Sequence, residues 1–205
     1  MHKKFMLACM AIAAFAAFVI APAASASPVL TSNGTAVPVG ASITATNTGE
    51  TLFTGTFNVK CDHVHLTGTV TKNSGTQIKG TIPVGWAKFN GTGTNTDCTS
   101  FFGPTAVTVT SELCVETVEG SDSVKTTGCG GNIVFDLQVT GLGVCKYETA
   151  SVTGSFETNA GAKVSVSEQP ASLKEGSGFT CPSEGKLDMV FDLYTTGGTP
   201  QLTIS

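Results

Sequence analysis

The sequence predicts an all-β protein, an antiparallel β-sandwich with a β-barrel as the alternative. Apolar and polar residues alternate at every second position through most of the chain after residue 27, as in strands with one buried face. Gly- and Asn-rich turn signals separate these stretches at short intervals. Thr and Ser fill many of the intervening positions, and β-branched Thr suits an exposed strand face. About ten to twelve short strands fit this spacing.

The first segment, residues 1–26, has the pattern of a secretory signal peptide of bacterial character. A basic start at 2–4 precedes an apolar run over 5–20, and a small-x-small cleavage site follows at 24–26. The alternative is a transmembrane anchor, but the run is shorter than the roughly 20 residues that span a bilayer. We therefore expect one secreted β domain over 27–205, without a membrane span, in the medium or at the cell surface.

The strands are placed where the alternation is clearest. In residues 133–139, for example, apolar side chains recur at every second position. In chain order, the alternating stretches are 57–61, 64–70, 78–82, 107–109, 133–139, 152–156, 164–166, 187–193 and 202–204. Residues 170–176 are the one stretch in which the sequence allows a helical turn.

Two segments of the chain resemble each other, which predicts a domain made of two related halves, about 57–110 and 135–195. Each contains a Cys, a strand with Thr-Gly, an Asn-x-Gly turn and a second Cys followed by x-Ser. The matching positions are Cys61, Thr67, Gly68, Asn73, Gly75 and Cys98 in the first half, and Cys145, Thr153, Gly154, Asn159, Gly161 and Cys181 in the second. The alternative is chance similarity among strands rich in Thr and Gly.

The Cys residues predict disulfide bonds, because six of the seven follow residue 27 and an even number in an exported chain is typical of a disulfide framework. No pair has the C-x-x-C spacing of a zinc ribbon or a redox motif. Six Cys allow several connectivities, and the duplication favours one of them. It pairs Cys61–Cys98 and Cys145–Cys181, one bond in each half, with Cys114–Cys129 across the hairpin between them. A Cys98–Cys114 bond would contradict the duplication.

The chain contains a Cys, a Thr-Gly-Thr-Val strand and a second Cys beyond a further strand, and this order resembles the sequence pattern of a known protein family. Small secreted bacterial β-proteins that act as activators of alkane oxidation share it with residues 61–98, and less closely with 145–181. The hairpin between Cys114 and Cys129 departs from that pattern. The resemblance implies an exported β fold stapled by Cys, without established chemistry, and it assigns no functional residue to this chain.

Charge and composition argue against a nucleic-acid partner. The net charge is −4 and the sequence contains no Arg, whereas phosphate recognition usually depends on Arg and basic patches. Carbohydrate platforms usually need stacked aromatic rings, and the chain has one Trp and two Tyr. The Trp, Trp86, is interpreted as packing in the core or at its rim. No cofactor is expected.

His63 and His65 are the candidates for a metal ligand or a catalytic base, because no other His follows residue 27. Residues two apart share one face of a strand, so both imidazoles face the same side. The adjacent apolar residues are assigned to the core, which makes exposed polar positions the favoured interpretation. No Gly-x-Ser-x-Gly elbow is present. A hydrolase would therefore need one of these His residues with an outward carboxylate, and the candidates are Asp136, Asp188 and Asp192.

Two surface patterns leave further alternatives. Acidic residues recur over 112–122, but the spacing is not that of a calcium loop, and a solvated acidic edge is favoured. Thr-x-Thr pairs recur over 44–110, and a flat array of Thr would suit ice or a crystalline polymer, although the spacing is irregular. The expectation is an exported, non-enzymatic protein with a structural, cell-surface or ligand-binding role. A secreted hydrolase and a Thr-rich surface binder are the alternatives.

Overall fold

The computed structural model describes residues 28–89, 98–119, 121–157, 162–176, 181–195 and 202–204. The predicted signal peptide lies outside these residues. Within them every regular element is a strand and every pairing between strands is antiparallel, so the predicted all-β antiparallel class is confirmed. No helix in this part of the chain has the length and apolar character needed to cross a membrane.

The described residues form 18 strands, of which six contain only two or three residues. The alternating stretches named from the sequence include the short strands at 59–61 and 202–204, but they miss longer strands at 42–47, 113–117, 123–128 and 143–149, so the sequence predicts fewer. The strands are β1 (Leu30–Ser32), β2 (Thr35–Ala36), β3 (Ser42–Asn47), β4 (Thr51–Thr54), β5 (Val59–Cys61), β6 (His65–Ser74), β7 (Gln77–Ile82), β8 (Ala87–Lys88), β9 (Cys98–Ser100), β10 (Gly103–Val109), β11 (Leu113–Thr117), β12 (Ser123–Gly128), β13 (Ile133–Val139), β14 (Gly143–Thr149), β15 (Val152–Glu157), β16 (Lys163–Glu175), β17 (Glu184–Thr195) and β18 (Leu202–Ile204).

Eight strands pair in a closed ring, which we call the first circuit. Its order is β3, β6, β7, β11, β12, β15, the first part of β16, the last part of β17, and β3 again. The part of β16 that takes part is 163–166, and the part of β17 is 189–195. Closure satisfies the backbone groups that an open sheet would leave at its edges.

A second closed ring of strands, which we call the second circuit, forms at the other end of the long hairpin of β16 and β17. Its order is β4, β5, β9, β10, β13, β14, the last part of β16, the first part of β17, and β4 again. Strands β16 and β17 therefore belong to both circuits, and β8 bridges β6 and β10 between them. This closed pairing is the barrel-like form of the predicted architecture.

A β-bulge lets β16 serve both circuits. The pairing with β17 shifts register between Val166 and Gln169, and Glu168 has a positive φ of 49°. Asp188 Oδ1 holds the bulge by accepting hydrogen bonds from the Glu168 N–H at 2.8 Å and the Ser167 hydroxyl at 3.2 Å. The extra residue changes which side of the strand faces inward. Val166 accordingly faces the first circuit, whereas Ala171 is buried against the second.

The expected helical turn at 170–176 is wrong, because residues up to Glu175 continue β16. In the structure Pro170 pairs with Lys186 of β17, and it lies where β16 leaves β15 to join β14. A Pro is tolerated there because no second strand pairs with this position.

The second circuit has a solid core. The Phe53 ring lies 4.8 Å from the Tyr147 ring and 6.0 Å from the Phe135 ring, between centroids. Leu137 and Val139 are each only 1% exposed beside them. The Tyr147 hydroxyl donates to the Pro182 carbonyl oxygen at 2.9 Å, so its polar atom is satisfied.

The structure contains three disulfides, and they join the pairs expected from the duplication. Cys61–Cys98 connects directly opposed residues of β5 and β9, and Cys145–Cys181 connects β14 to the segment before β17. Both are buried in the second circuit, and each closes a long loop that contributes about 3–4 kcal/mol on the chain-entropy model. Cys114–Cys129 joins β11 to the turn that follows β12.

The two halves follow the same route through the molecule. In each, the chain leaves the second circuit at a disulfide-bonded strand, forms a hairpin in the first circuit and returns. The matched glycines also match in packing: a Cβ on Gly68 would lie 2.8 Å from the Thr81 carbonyl oxygen, and one on Gly154 would lie 2.7 Å from Val164 Cγ1. Asn159 and Gly161 of the second half lie outside the described residues. These parallels support the duplication, which stays a prediction.

The buried Tyr147 predicts a loss of stability in alkali. Burial raises the pKa of Tyr147 to about 12, whereas an unfolded Tyr titrates near 10. Between about pH 10 and 12 the unfolded chain releases this proton while the folded chain retains it, so the free energy of unfolding falls as pH rises. We expect the urea midpoint to fall over this window, and less steeply in Tyr147→Phe. Burial also raises the pKa of Tyr194, so the Tyr194→Phe variant measures how much that residue contributes to the same fall in the urea midpoint. Equal slopes in Tyr147→Phe and the parent would contradict the assignment.

Candidate functional site

The interior of the first circuit is hollow. It contains a cavity of about 250 Å³ lined by residues of all eight strands. Its lining includes Ile43, Leu66, Gly68, Ile78, Gly80, Ile82, Leu113, Val115, Val124, Val152, Phe156, Val164, Val166, Met189, Phe191 and Leu193. Circuits of this size in other proteins either fill with side chains or hold one small ligand.

The cavity exists because small residues occupy inward positions. Gly68 and Gly80 contribute no side chain to the wall formed by β6 and β7, and Val115, Val124 and Val152 are short. The core cluster of the second circuit instead contains the aromatic rings of Phe53, Phe135 and Tyr147. The difference in side-chain volume therefore makes one circuit hollow and the other full.

One end of the cavity is closed by the junction between the circuits. Val109, Ile133 and Phe135 belong to the core cluster of the second circuit, and they also line the cavity. Phe89, which follows β8, packs against the same cluster and reaches the cavity wall. The floor of the cavity is thus the packed core itself.

The opposite end is covered by a small sheet of order β18-β1-β2, which we call the cap. Leu30 and Ile204 of the cap line the cavity, while Val37 and Leu202 are buried in the same apolar cluster. Within the cap, Leu30 pairs with Ile204, so the two ends of the described chain meet over the cavity.

Asn73 fastens the cap to the end of β6. Its Oδ1 accepts from the Leu30 N–H at 2.7 Å, and its Nδ2 donates to the carbonyl oxygens of Leu30 and Val37, each at 2.7 Å. The segment after β2 adds a hydrogen bond from the Gly40 N–H to the Val70 carbonyl oxygen at 2.8 Å. From the sequence Asn73 was assigned only to a turn, so this role was missed.

The cavity is apolar in chemistry. The Thr117 hydroxyl lies at its wall but already accepts a hydrogen bond from the Ile78 N–H at 3.0 Å. Lys79 is the charged residue of the lining, and its ammonium group pairs with Glu116 at 3.2 Å on the half-exposed outer side. Thr126, which pairs with Val152 across β12 and β15, adds a hydroxyl-bearing side chain to the lining, but the described lining contains no His, Asp or Glu, so it offers a ligand mainly hydrophobic contact and no acid–base chemistry.

The residues predicted for metal binding or catalysis lie elsewhere. His65 is half-buried, with Nδ1 3.2 Å from the Thr46 hydroxyl, and His63 is exposed. Asp188 holds the bulge in β16, and Asp192 pairs with Lys163 at 3.8 Å. Asp136 is half-buried beside the register position of Lys146. Among the residues that the structure describes, no group of three His, Cys, Asp or Glu side chains is placed to hold a metal ion.

The acidic run and the Thr pairs lie on the outer surface. Glu116 of the acidic run forms the ion pair with Lys79. Outward hydroxyls form one row of Ser42, Thr69 and Thr81 and a second of Thr44 and Thr67 across β3, β6 and β7. Cys114 and Tyr194 follow these rows on the adjacent strands and interrupt them. Trp86, expected to pack in the core or at its rim, is 56% exposed.

Comparison of the chain with models of protein families, with curated proteins and with solved structures finds no match. The resemblance to activators of alkane oxidation therefore stays an expectation that rests on residues 61–98 and 145–181. The cavity of the first circuit is the most distinctive feature from which a function can be inferred.

Proposed function

We propose that the protein is an exported, non-enzymatic binding protein that holds one small apolar molecule inside the first circuit. The observation that carries this proposal is the closed ring of strands whose inward side chains are predominantly apolar and leave about 250 Å³ empty. An apolar cavity of roughly 150 Å³ in another protein binds benzene, so an apolar space of this kind is large enough to hold a small hydrocarbon.

The lining defines the chemical class of the ligand. A charged or strongly polar molecule would lose its hydration without gaining partners, which costs several kcal/mol per buried group, on the order of 2–7. The volume is below the roughly 300–1,000 Å³ typical of sites for drug-sized ligands. We therefore infer a neutral hydrocarbon-like ligand, either a small fused-ring molecule or a short chain.

Export is supported by the disulfides. All six Cys after residue 27 are paired, and such bonds persist in oxidising compartments outside the cytosol. The predicted signal peptide at 1–26 points to the same destination. A hydrolase based on His63 or His65 gains no support, because neither residue contributes to the lining of the cavity.

Filling the cavity is expected to abolish ligand binding. Val152 points into the cavity from β15, and its neighbour Thr153 is exposed on the outer face of the same strand. In Val152→Phe the larger side chain occupies the space that the ligand needs, so the affinity for naphthalene should fall by at least about tenfold. The measurement is the rise in melting temperature with naphthalene or hexane, because a ligand that binds only the folded state stabilises it.

Thr153→Phe adds the same ring to the outer face and is the matched control, with unchanged naphthalene binding. A larger response to naphthalene than to hexane would assign a ring-shaped ligand, and the reverse would assign a chain. If neither compound raises the melting temperature of the parent protein, or if both Phe variants bind as it does, the proposed cavity function is wrong.

A further inference from the structure

Three neighbouring turns form an apolar surface at the end of the second circuit that lies away from the first circuit. We call this surface the distal pole. It comprises the β4–β5 turn at 55–58, the β9–β10 turn at 101–102 and the β13–β14 turn at 140–142. These turns are neighbours because the strands they connect follow one another around the circuit.

Phe101 projects from the distal pole with 90% of its surface exposed, the largest value among the exposed hydrophobic residues described. Phe102 beside it is 46% exposed, and the two rings meet edge to face at 5.4 Å between centroids. Phe102 also contacts Phe57 of the adjacent turn at 5.9 Å. Two adjacent Phe residues at a hairpin tip are costly to leave in water unless they have a partner.

The turn that presents these rings is built rigidly. The Ser100 hydroxyl accepts from the Phe102 N–H at 3.2 Å and donates to the Gly103 carbonyl oxygen at 3.2 Å. Thr140 anchors the neighbouring turn by donating from its hydroxyl to the Pro104 carbonyl oxygen at 2.8 Å. Because these bonds fix the backbone, Phe101 is held outward rather than folded back onto the surface.

The surroundings of Phe101 favour a lipid surface over a protein partner. None of the three turns contains Asp, Glu, Lys or His, and their polar groups are the hydroxyls and amides of Thr56, Asn58 and Thr140. Such uncharged polar groups suit the headgroup layer, while aromatic rings suit the boundary with the acyl chains. Lys60 lines the same surface as Phe101, but its ammonium group is paired with Glu50 at 2.9 Å. The chain carries a net charge of −4, which disfavours an anionic membrane. A single protruding ring is also too small for the roughly 800 Å² per partner of a stable protein interface.

We propose that the distal pole docks the protein on a zwitterionic phospholipid surface, with Phe101 inserted into the boundary between headgroups and acyl chains. The docking is peripheral and reversible, because it uses a few side chains. This surface is separate from the cavity of the first circuit, so docking and ligand binding can be tested independently.

The test is sedimentation of the processed chain, residues 27–205, with phosphatidylcholine vesicles. Phe101→Ser should reduce the partition coefficient by about tenfold, as expected for one exposed Phe that is no longer buried on binding. Its fold should be unaffected, since Phe101 is almost fully exposed. Trp86→Ser removes an exposed aromatic residue from the first-circuit side of the molecule and should leave binding unchanged.

Insertion of the distal pole into lipid can be measured by Trp fluorescence once the single Trp is moved from position 86 to position 101. In the double variant Trp86→Phe, Phe101→Trp, vesicles should shift the emission to shorter wavelength, and brominated lipid should quench it. Failure of the parent chain to bind phosphatidylcholine, or equal binding by Phe101→Ser, would overturn the proposal. It is also overturned if Phe101→Ser abolishes self-association in the absence of lipid, because the pole would then be an interface between two copies of the chain.

Discussion

Replacing Gly185 by Ala is expected to cause a large loss of stability for the addition of a single methyl group. Gly185 is buried in β17, and a Cβ there would overlap three carbons of the Phe53 ring. The ring cannot move freely, because it packs against both rings of the stacked pair Phe135 and Tyr147 in the buried core. We expect a cost of about 3 kcal/mol or more, at the upper end of the range for overpacked cores.

The measurement is the urea midpoint of Gly185→Ala against that of Gly130→Ala. Gly130 is exposed, has no atom within 4 Å of an added Cβ and does not have a positive φ, so its substitution should be nearly neutral. Adding Phe53→Leu to Gly185→Ala makes room for the new methyl group and should recover part of the loss. If the two Ala variants are equally stable, Phe53 does not pack against Gly185 as described.

Asn73→Ala is expected to loosen the cap without unfolding the circuits. The substitution leaves the Leu30 N–H and the Val37 carbonyl oxygen without their partner, while the Leu30 carbonyl oxygen keeps its bond from the Val37 N–H. Two part-buried groups that lose their hydrogen bonds cost about 2–4 kcal/mol together. The substitution therefore lowers the free energy needed to open the cap, because Asn73 connects the cap to β6.

Hydrogen exchange separates local opening from global unfolding. In Asn73→Ala the amides of Leu30 and Val37 should exchange at least about tenfold faster, whereas that of Leu137 in the second circuit should be unaffected. Asn58→Ala, at an exposed position outside the cap, should change none of the three. Uniform acceleration at all three amides would show that Asn73 supports the whole fold rather than the cap.

The sequence predicts the all-β class and the direction of most core side chains because a strand has a period of two. Residues 133–139 and 187–193 show this well, since the apolar positions named from the sequence face the interior. The disulfide pairs could be predicted from the duplication because a Cys at matched positions of two halves has few consistent partners. Both inferences use patterns that can be recognised in the sequence without knowing which strands pair.

The closure into two circuits and the cavity could not be predicted in the same way. Alternation shows which face of a strand is buried, but it does not show which strands meet or how much space they leave. Gly68 and Gly80 occupy the same alternating positions as the apolar residues of stretches 64–70 and 78–82, which is the available sequence signal for a wall without side chains. The role of Asn73 depends on a partner 43 residues away, and the bulge before Gln169 depends on a side chain of β17. Long-range pairings of this kind have no local signature.

The pairing of β1 with β18 also sets an order of events during folding. Leu30 lies near the beginning of the described chain and its partner Ile204 near the end, so the cap can form only after almost the entire polypeptide is available. Both circuits likewise wait for 163–195, because the hairpin of β16 and β17 completes each of them. Such distant pairings slow folding. The interior of the first circuit is therefore open until residues 202–204 are available, and a hydrophobic guest can enter before the cap is in place.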